Sequence, residues 1–149
     1  LFQYPFYAGI MGIMMYTGLG DQLGQLMAEV ATLESYPFYA YLTGAIVNFA
    51  IPSAGGEFAV IGPSIINAIK ELGAGLPENE ITAMISRASL SVAYGESLSN
   101  LLQPFYLLVV LPIMGNGVNI QARDVMGYMV IPFIILFILQ SLLVVLWPL

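Results

Sequence analysis

Residues 48–57 read NFAIPSAGGE, and this stretch decides how the chain folds. It lies in a chain of 149 residues, of which 59% are hydrophobic and only 8% are charged. Proline lacks the backbone donor that a helix needs and glycine is a poor helix former, so the stretch predicts a break between two helices. Irregular backbone at membrane depth must be buried in protein or line a water-filled cavity. We therefore expect this break to have a function inside a membrane protein.

The composition narrows the class of protein. Soluble domains carry about 25% charged residues, so the low charge and a mean hydropathy of +0.88 predict an all-α integral membrane protein. Cysteine and histidine are absent, which excludes disulfides, thiolate chemistry, Cys/His zinc sites and histidine-ligated haem. A net charge of −6 argues against nucleic acid as a partner. The chain opens on Leu1 without a charged leader region, and we expect it to be a piece of a longer chain.

The break divides a re-entrant helical hairpin that we predict over 36–69. Each arm of the hairpin is shorter than the hydrocarbon core of about 30 Å, so both ends would lie on the same side of the membrane. A broken transmembrane helix is predicted over 81–114, which is too long for one straight crossing. Uninterrupted transmembrane helices are predicted over 1–20 and 125–147. An amphipathic helix over 21–35 is expected to lie at the interface or against other helices.

Two segments share the spacing Asn-x-x-x-Pro, namely NFAIP at 48–52 and NLLQP at 100–104. A helical proline leaves the carbonyl four residues earlier without its donor. In both segments that carbonyl belongs to the asparagine, which also offers an amide side chain. Transporters hold cations at unwound helices through such oxygens, and they hold substrate carboxylates at exposed helix N-termini. The alternative, that the repeated spacing marks two unrelated kinks, remains open.

Polar residues recur along the broken helix at intervals of three and four. While the segment stays helical, they share one face. We interpret the part before residue 94 as small-residue helix packing. The later part, from Glu96 to Gln103, is expected to face a bundle interior or an aqueous path. This stripe, polar except for its alanine, comprises Thr82, Ser86, Ser89, Ala93, Glu96, Asn100 and Gln103.

Three charged residues within the apolar segments need separate interpretation. Glu57 and Glu96 each lie beside one of the two breaks, where a carboxylate could bind a cation or take up a proton. Glu57 could instead be solvated through a cavity near the hairpin tip. Arg87 lies on the opposite helix face from Glu96, and we expect its long side chain to reach the lipid headgroups.

At PSAGGEFAVIGP (52–63), YGESLSNLLQPFY (94–106) and RDVMGY (123–128), the sequence resembles the short-chain fatty acid transporters of the ion transporter superfamily. The family pattern is a Pro-Ser-Gly-Gly-Gly stretch that ends in Gly-Pro, followed by an aromatic-Gly-Asp segment running into Thr-Asn and Gln-Pro-Phe. This chain departs from that pattern at a few positions, and Glu57 adds a negative charge where the family shows a neutral polar residue. The departures are Ala54, Glu57, Phe58, Glu96 and Ser99.

The resemblance implies a secondary carrier built from two inverted repeats, in which hairpin tips and broken helices meet at the substrate. This chain would supply the C-terminal repeat and would not be an enzyme. The expected partners are a short-chain carboxylate, the lipid bilayer and the N-terminal half of the carrier, with a homo-oligomer left open. The expected location is a bacterial inner membrane, crossed several times. No cofactor is expected beyond a coupling Na⁺ or H⁺.

The site residues predicted on this basis lie at the two breaks. Hydroxyls and tip N–H groups would hold the carboxylate, and asparagine carbonyls with the two acids would form a cation or proton site. The substrate-binding residues are Ser53, Gly55, Gly56, Ser97, Ser99, Asn100 and Gln103. The residues of the cation or proton site are Asn48, Glu57, Glu96 and Asn100.

Other functions remain open. A carrier of dicarboxylates or another anion would need more positive charge, and only Arg87 is available for it. A membrane subunit that packs against partners without transporting anything is a second alternative. An intramembrane hydrolase would need a base beside Ser53 or Ser97, yet histidine is absent and Lys70 falls in a predicted loop.

Overall fold

A computed structural model describes residues 4–114, 117 and 119–146 of the chain. Every regular element in these ranges is a helix, as the composition predicts. The ends of two predicted helices, at 1–3 and at 147, lie outside the described residues. The helices are α1 (Tyr4–Tyr16), α2 (Leu19–Val30), α3 (Tyr36–Asn48), α4 (Ala54–Leu72), α5 (Glu78–Ser99), α6 (Pro104–Met114) and α7 (Ala122–Leu146), with a short 3₁₀ helix at Asn100–Leu102.

The chain leaves helical geometry between α3 and α4, within the stretch NFAIPSAGGE. Pro52 cannot donate to the preceding turn, and Ser53 takes an extended conformation with φ −154° and ψ 109°. The Ser53 hydroxyl then accepts from the Gly56 N–H at 3.4 Å, which is the N-cap arrangement that starts a helix. The proline therefore ends one helix, and the serine beside it begins the next.

The two helices that flank this break differ in length from the predicted hairpin arms. α3 is about 20 Å long, as expected, whereas α4 is about 28 Å at 1.5 Å per residue. α4 is longer because Ala54, Gly55 and Gly56 form its first turn and because it continues to Leu72. Its length approaches the hydrocarbon thickness, so α4 is longer than the second arm of the predicted hairpin, and the re-entrant path itself stays a prediction.

α3 and α5 lie against each other and run in the same direction. Gly44 of α3 faces Val92 of α5, and further along both helices Asn48 bonds to Ser99. Gly95 faces the Tyr41 carbonyl so closely that a Cβ on Gly95 would collide with this backbone oxygen. Such close approach of two backbones requires glycine and is typical of membrane helix pairs.

α4 and α5 form an antiparallel pair, while α2 runs parallel to α4. Near the connection between α4 and α5, Gly73 lies beside Ile81. On α2, Gly20 and Gly24 face α4, and a side chain on Gly24 would overlap Ser64. The main hydrophobic core fills the space between these helices and includes Met27, Ala40, Ile61, Ile65, Ile69 and Val92.

α7 contributes less to the core than the other long helices. Within the described ranges it is the one helix long and apolar enough to cross a bilayer, and 6% of its most apolar window is buried. A second apolar cluster attaches α7 to α3, with Tyr41 against Phe137 at a ring-centroid distance of 5.9 Å.

Arg87 on α5 also holds α7. Its guanidinium donates to the carbonyls of Val144 at 3.0 Å and Val145 at 3.2 Å, in the last turn of α7. A cation at a helix C-terminus satisfies carbonyls that have no intrahelical donor and complements the helix dipole. In this structure the Arg87 side chain caps a neighbouring helix, and whether it also reaches the lipid headgroups stays a prediction.

Candidate functional site

Asn48, the last residue of α3, lies at the centre of a buried polar cluster. Its side chain has no exposed surface. Its Nδ2 lies 3.0 Å from the Glu96 carbonyl, 2.7 Å from Ser99 Oγ and 3.0 Å from Asn100 Oδ1. One amide group thus joins the end of α3 to the end of α5.

The carbonyl of Asn48 is the oxygen that Pro52 leaves without a helical donor. Gln103 supplies the missing donor, because its Nε2 donates to the Asn48 oxygen. Gln103 is 4% exposed and belongs to the second break, just before α6. A side chain of one broken helix therefore replaces the hydrogen bond lost in the other.

At the second break, the carbonyl that the proline leaves free accepts a hydrogen bond from a nearby backbone N–H. Asn100 begins the 3₁₀ helix, and its carbonyl accepts the Gln103 N–H at 3.3 Å. From the sequence, we expect both asparagine carbonyls to be free for a ligand. In this structure each of them already accepts a hydrogen bond. A carbonyl oxygen has two lone pairs, so each can still accept one further bond.

The two Asn-x-x-x-Pro segments are neighbours in space. Asn48 and Asn100 are 52 residues apart, and their side chains bond to each other. Because α3 and α5 run parallel, the two breaks lie at the same level of the bundle. This arrangement favours a paired break over two unrelated kinks.

Two carboxyls lie in the same region. Glu57, in the first turn of α4, has no exposed surface, and neither of its oxygens has a hydrogen-bond partner among the described residues. Glu96 is 6% exposed and lies within electrostatic range of Glu57. The Asn48 Oδ1 atom is likewise buried without a donor. The cluster thus contains buried acceptors that lack a positive or donating partner.

None of the basic side chains reaches these carboxyls. Lys70 is exposed in the last turn of α4, and Arg87 is bonded to the end of α7. Arg123 lies 3.9 Å from Asp124 on the surface. A bare buried charge is costly, so the carboxyl pair requires a proton or a cation from outside the chain.

The N-terminus of α4 forms the exposed edge of the cluster. Ser53 and Gly55 are exposed, and a Cβ on Gly55 would meet nothing within 4 Å. Gly56 is more enclosed, because a Cβ there would come within 3.3 Å of Met11 Sδ. N–H groups in the first turn of a helix have no intrahelical acceptor and carry the positive end of the dipole. This edge can bind an anion through Ser53, Gly55 and Gly56.

The remaining predicted serines differ in position. Ser99 is buried and, besides its contact with Asn48, its hydroxyl lies 3.1 Å from the Glu96 carbonyl. Ser97 is exposed, and its hydroxyl donates to the Tyr94 carbonyl at 2.8 Å. The structure therefore brings Ser99 into the cluster and leaves Ser97 outside it.

A second polar site was not predicted from the sequence. A cleft of about 290 Å³ lies between α2 and α4, where the Ser64 hydroxyl is bonded to the Asp21 carboxylate. The signal that could have located it is the pair Gly20 and Gly24, which allows these two helices to approach. Its other polar lining residues are Gln25, Asn67 and Glu71.

Comparison with known proteins identifies relatives over most of the chain. The family model described as "Short chain fatty acid transporter" matches residues 1–147. A protein of Escherichia coli (strain K12) is 39% identical over 128 residues, and one of Haemophilus influenzae (strain ATCC 51907 / DSM 11121 / KW20 / Rd) is 38% identical over the same length. Both carry the curated name "Putative short-chain fatty acid transporter". The matches cover 86% of this chain but 26% of each relative, so the chain spans about a quarter of their length. No solved structure matches.

Proposed function

This chain belongs to the short-chain fatty acid transporter family, and on that premise we propose that it forms the substrate-binding and ion-binding part of a secondary carrier. The family places it in a membrane as an integral membrane protein. The proposed substrates are short-chain fatty acids or similar small monocarboxylates, and transport is coupled to an H⁺ or Na⁺ gradient. The proposed location is a bacterial inner membrane, crossed several times, in keeping with the two bacterial relatives.

The paired helix break is the observation that carries this proposal. Asn48 and Gln103 join two interrupted helices at one level, beside a helix N-terminus that faces open space. Discontinuous helices of this kind form the sites of secondary transporters near the middle of the bilayer. In our proposal the substrate carboxylate binds at the start of α4, through Ser53 and the N–H groups of Gly55 and Gly56.

The second break completes the proposed site. Ser99, Asn100 and Gln103 hold the position of the first break and offer polar atoms to the substrate from the opposite side. Ser97 is exposed in this chain, so it would reach the substrate only from a surface shared with another part of the carrier. The proposed architecture is one of two inverted repeats, with 36–69 as a re-entrant hairpin.

The position of Gly55 allows a direct test. A Cβ at this position would meet nothing within 4 Å, so Val should leave folding intact while filling the space at the start of α4. We expect Gly55→Val to reduce butyrate exchange by about tenfold or more, a loss of about 1.4 kcal/mol of binding. The measurement is exchange of labelled butyrate in liposomes that contain the full-length protein, with protein-free liposomes subtracted.

Gly127→Val is the matched control, because Gly127 in α7 also faces open space but lies far along the chain from the breaks. It should exchange butyrate like the unmodified protein. Equal exchange by both variants would contradict the proposed site. Unlabelled succinate should compete poorly, and strong competition would favour the dicarboxylate alternative.

A further inference from the structure

We propose that the coupling ion is a proton and that the carboxyl pair Glu57–Glu96 carries it. This inference rests on the proposed carrier function. It selects H⁺ over Na⁺ as the coupling ion and names the residues that bind it. Glu57 lies in the first turn of α4, within electrostatic range of Glu96, so a charge on the pair acts on the proposed binding place of the substrate carboxylate. The sequence suggests either ion, and the arrangement of donors around the pair favours the proton.

The first argument concerns hydrogen bonding. Within the part of the chain that the structure describes, both oxygens of Glu57 and the Asn48 Oδ1 atom are buried acceptors without a donor. Buried acceptors normally have a partner, and one left unsatisfied costs about 1–3 kcal/mol. A proton on the pair turns an acceptor into a donor, and it removes one of two neighbouring negative charges.

The second argument concerns the oxygens that a sodium ion would need. Ca²⁺ and Mg²⁺ take six or more oxygen ligands in proteins, and a sodium ion likewise needs several oxygen atoms directed at it. The other oxygens of this cluster already face N–H donors, since Asn48 Nδ2 points at Ser99 Oγ and Asn100 Oδ1, and Gln103 bonds the Asn48 carbonyl. The positive ends of these donors would lie beside a bound cation. A proton needs one oxygen and is compatible with the network as it stands.

The third argument concerns the other groups around Glu57. Of the described titratable side chains on the helices packed against α4, only Glu96 on α5 faces it. Asp21 on α2 bonds Ser64, further along α4. α3 contributes the neutral Asn48, and α1 contributes Met11 near Gly56. A proton on the pair is therefore not exchanged with another side chain of this cluster.

These contacts give a balanced transport step. Water on one side of the membrane supplies one proton to the pair, which then carries one negative charge fewer and repels an incoming carboxylate less. The substrate anion then binds at the start of α4. On the other side the anion leaves, and the proton returns to water. One H⁺ and one carboxylate move together, with no net charge transferred.

The first experiment identifies the ion with the unmodified full-length protein in liposomes. An inward pH gradient of one unit, without sodium, should raise the initial rate of butyrate uptake well above that of protein-free liposomes, whose slower uptake by diffusion of the undissociated acid approaches the same limit of about tenfold accumulation. An inward sodium gradient at equal pH should not increase uptake. Uptake driven by sodium alone at equal pH would overturn the inference while leaving the carrier function intact.

The second experiment uses Glu57→Gln, which has the shape and charge of the protonated carboxyl. We expect its butyrate uptake to lose stimulation by the pH gradient, because an amide cannot bind and release the proton. Glu78→Gln, at an exposed position in the first turn of α5, is the matched control and should keep that stimulation. A Glu57→Gln protein that elutes as a folded species and keeps full stimulation would overturn the inference.

The outcomes separate the two proposals. If the unmodified protein shows no exchange above protein-free liposomes, the carrier function fails. If exchange occurs and Glu57→Gln responds to pH like the unmodified protein, only the proton site fails. If Glu57→Gln does not fold, the ion dependence of the unmodified protein decides the question.

Discussion

Two prolines in this chain behave differently, and the contrast explains how the site forms. Pro132 lies inside α7, which continues past it as one helix, whereas Pro52 lies where α3 has already ended. Each proline removes the same backbone donor. Beside Pro52, however, Ser53 caps the next helix and Gln103 bonds the freed carbonyl. A proline ends a helix in this chain where polar side chains can take over the backbone bonds.

The same two regions differ in burial. Asn48, whose carbonyl Pro52 leaves free, has no exposed surface. Tyr128, which holds the equivalent position before Pro132, is 82% exposed. The break at Pro52 is therefore held by Ser99 of α5 and by Gln103, which precedes α6, whereas the side chain before Pro132 lies on an exposed face of α7. The following variants test whether tertiary contacts stabilise the helix break at Pro52.

The largest effect is expected from separating α3 and α5. Gly95→Val places a side chain against the Tyr41 backbone carbonyl, which cannot move without shifting α3. Overpacking of this kind should destabilise the protein by about 3 kcal/mol and abolish butyrate exchange. Thermal unfolding in detergent micelles measures the stability. Gly127→Val should unfold like the unmodified protein, and equal stability of the two variants would contradict the close packing.

The next effect concerns the bond between the two breaks. Gln103→Leu keeps a similar volume but leaves the buried Asn48 carbonyl without its donor. We expect a loss of about 2 kcal/mol in stability, since an unsatisfied buried acceptor costs that much. Gln22→Leu, at an exposed position of α2, is the control. A difference of less than about 0.5 kcal/mol between the two would show that the cross-link contributes little.

The comparison of the two prolines predicts smaller changes in stability, which should have opposite signs at Pro52 and Pro132. Pro52→Ala should destabilise by about 1 kcal/mol, because it frees the unfolded chain, and the restored N–H competes with Gln103. Pro132→Ala should instead stabilise, because the restored N–H completes a turn of α7. Unfolding midpoints of both proteins test this. The same sign of change for both would remove the distinction between the two regions.

The smallest effect is expected at the N-cap. The hydrogen bond from Gly56 to Ser53 is long at 3.4 Å, so Ser53→Ala should cost only about 0.5 kcal/mol. Its effect on exchange should be larger than its effect on stability if the hydroxyl also contacts substrate. Ser97→Ala, which removes an exposed hydroxyl bonded to its own helix, should change neither. Loss of exchange in Ser97→Ala alone would move the site to the opposite face of α5.

The sequence indicates some of this arrangement and not the rest, for physical reasons. The helical class follows from composition, and the break near Pro52 follows from local backbone chemistry. The bond between Gln103 and Asn48 joins residues 55 apart, and no periodicity reveals it. The glycines that set the register of α3 and α5 are unremarkable until the two helices are paired. The contact of Arg87 with α7 likewise depends on where α7 packs.

The cross-link at Gln103 also limits how the molecule can move. Since the donor for the gap in the first broken helix lies on the second, neither helix can straighten or hinge alone without exposing an unpaired oxygen. The two interruptions are therefore coupled, and displacing one without the other would leave a buried acceptor unsatisfied, at a cost of about 1–3 kcal/mol.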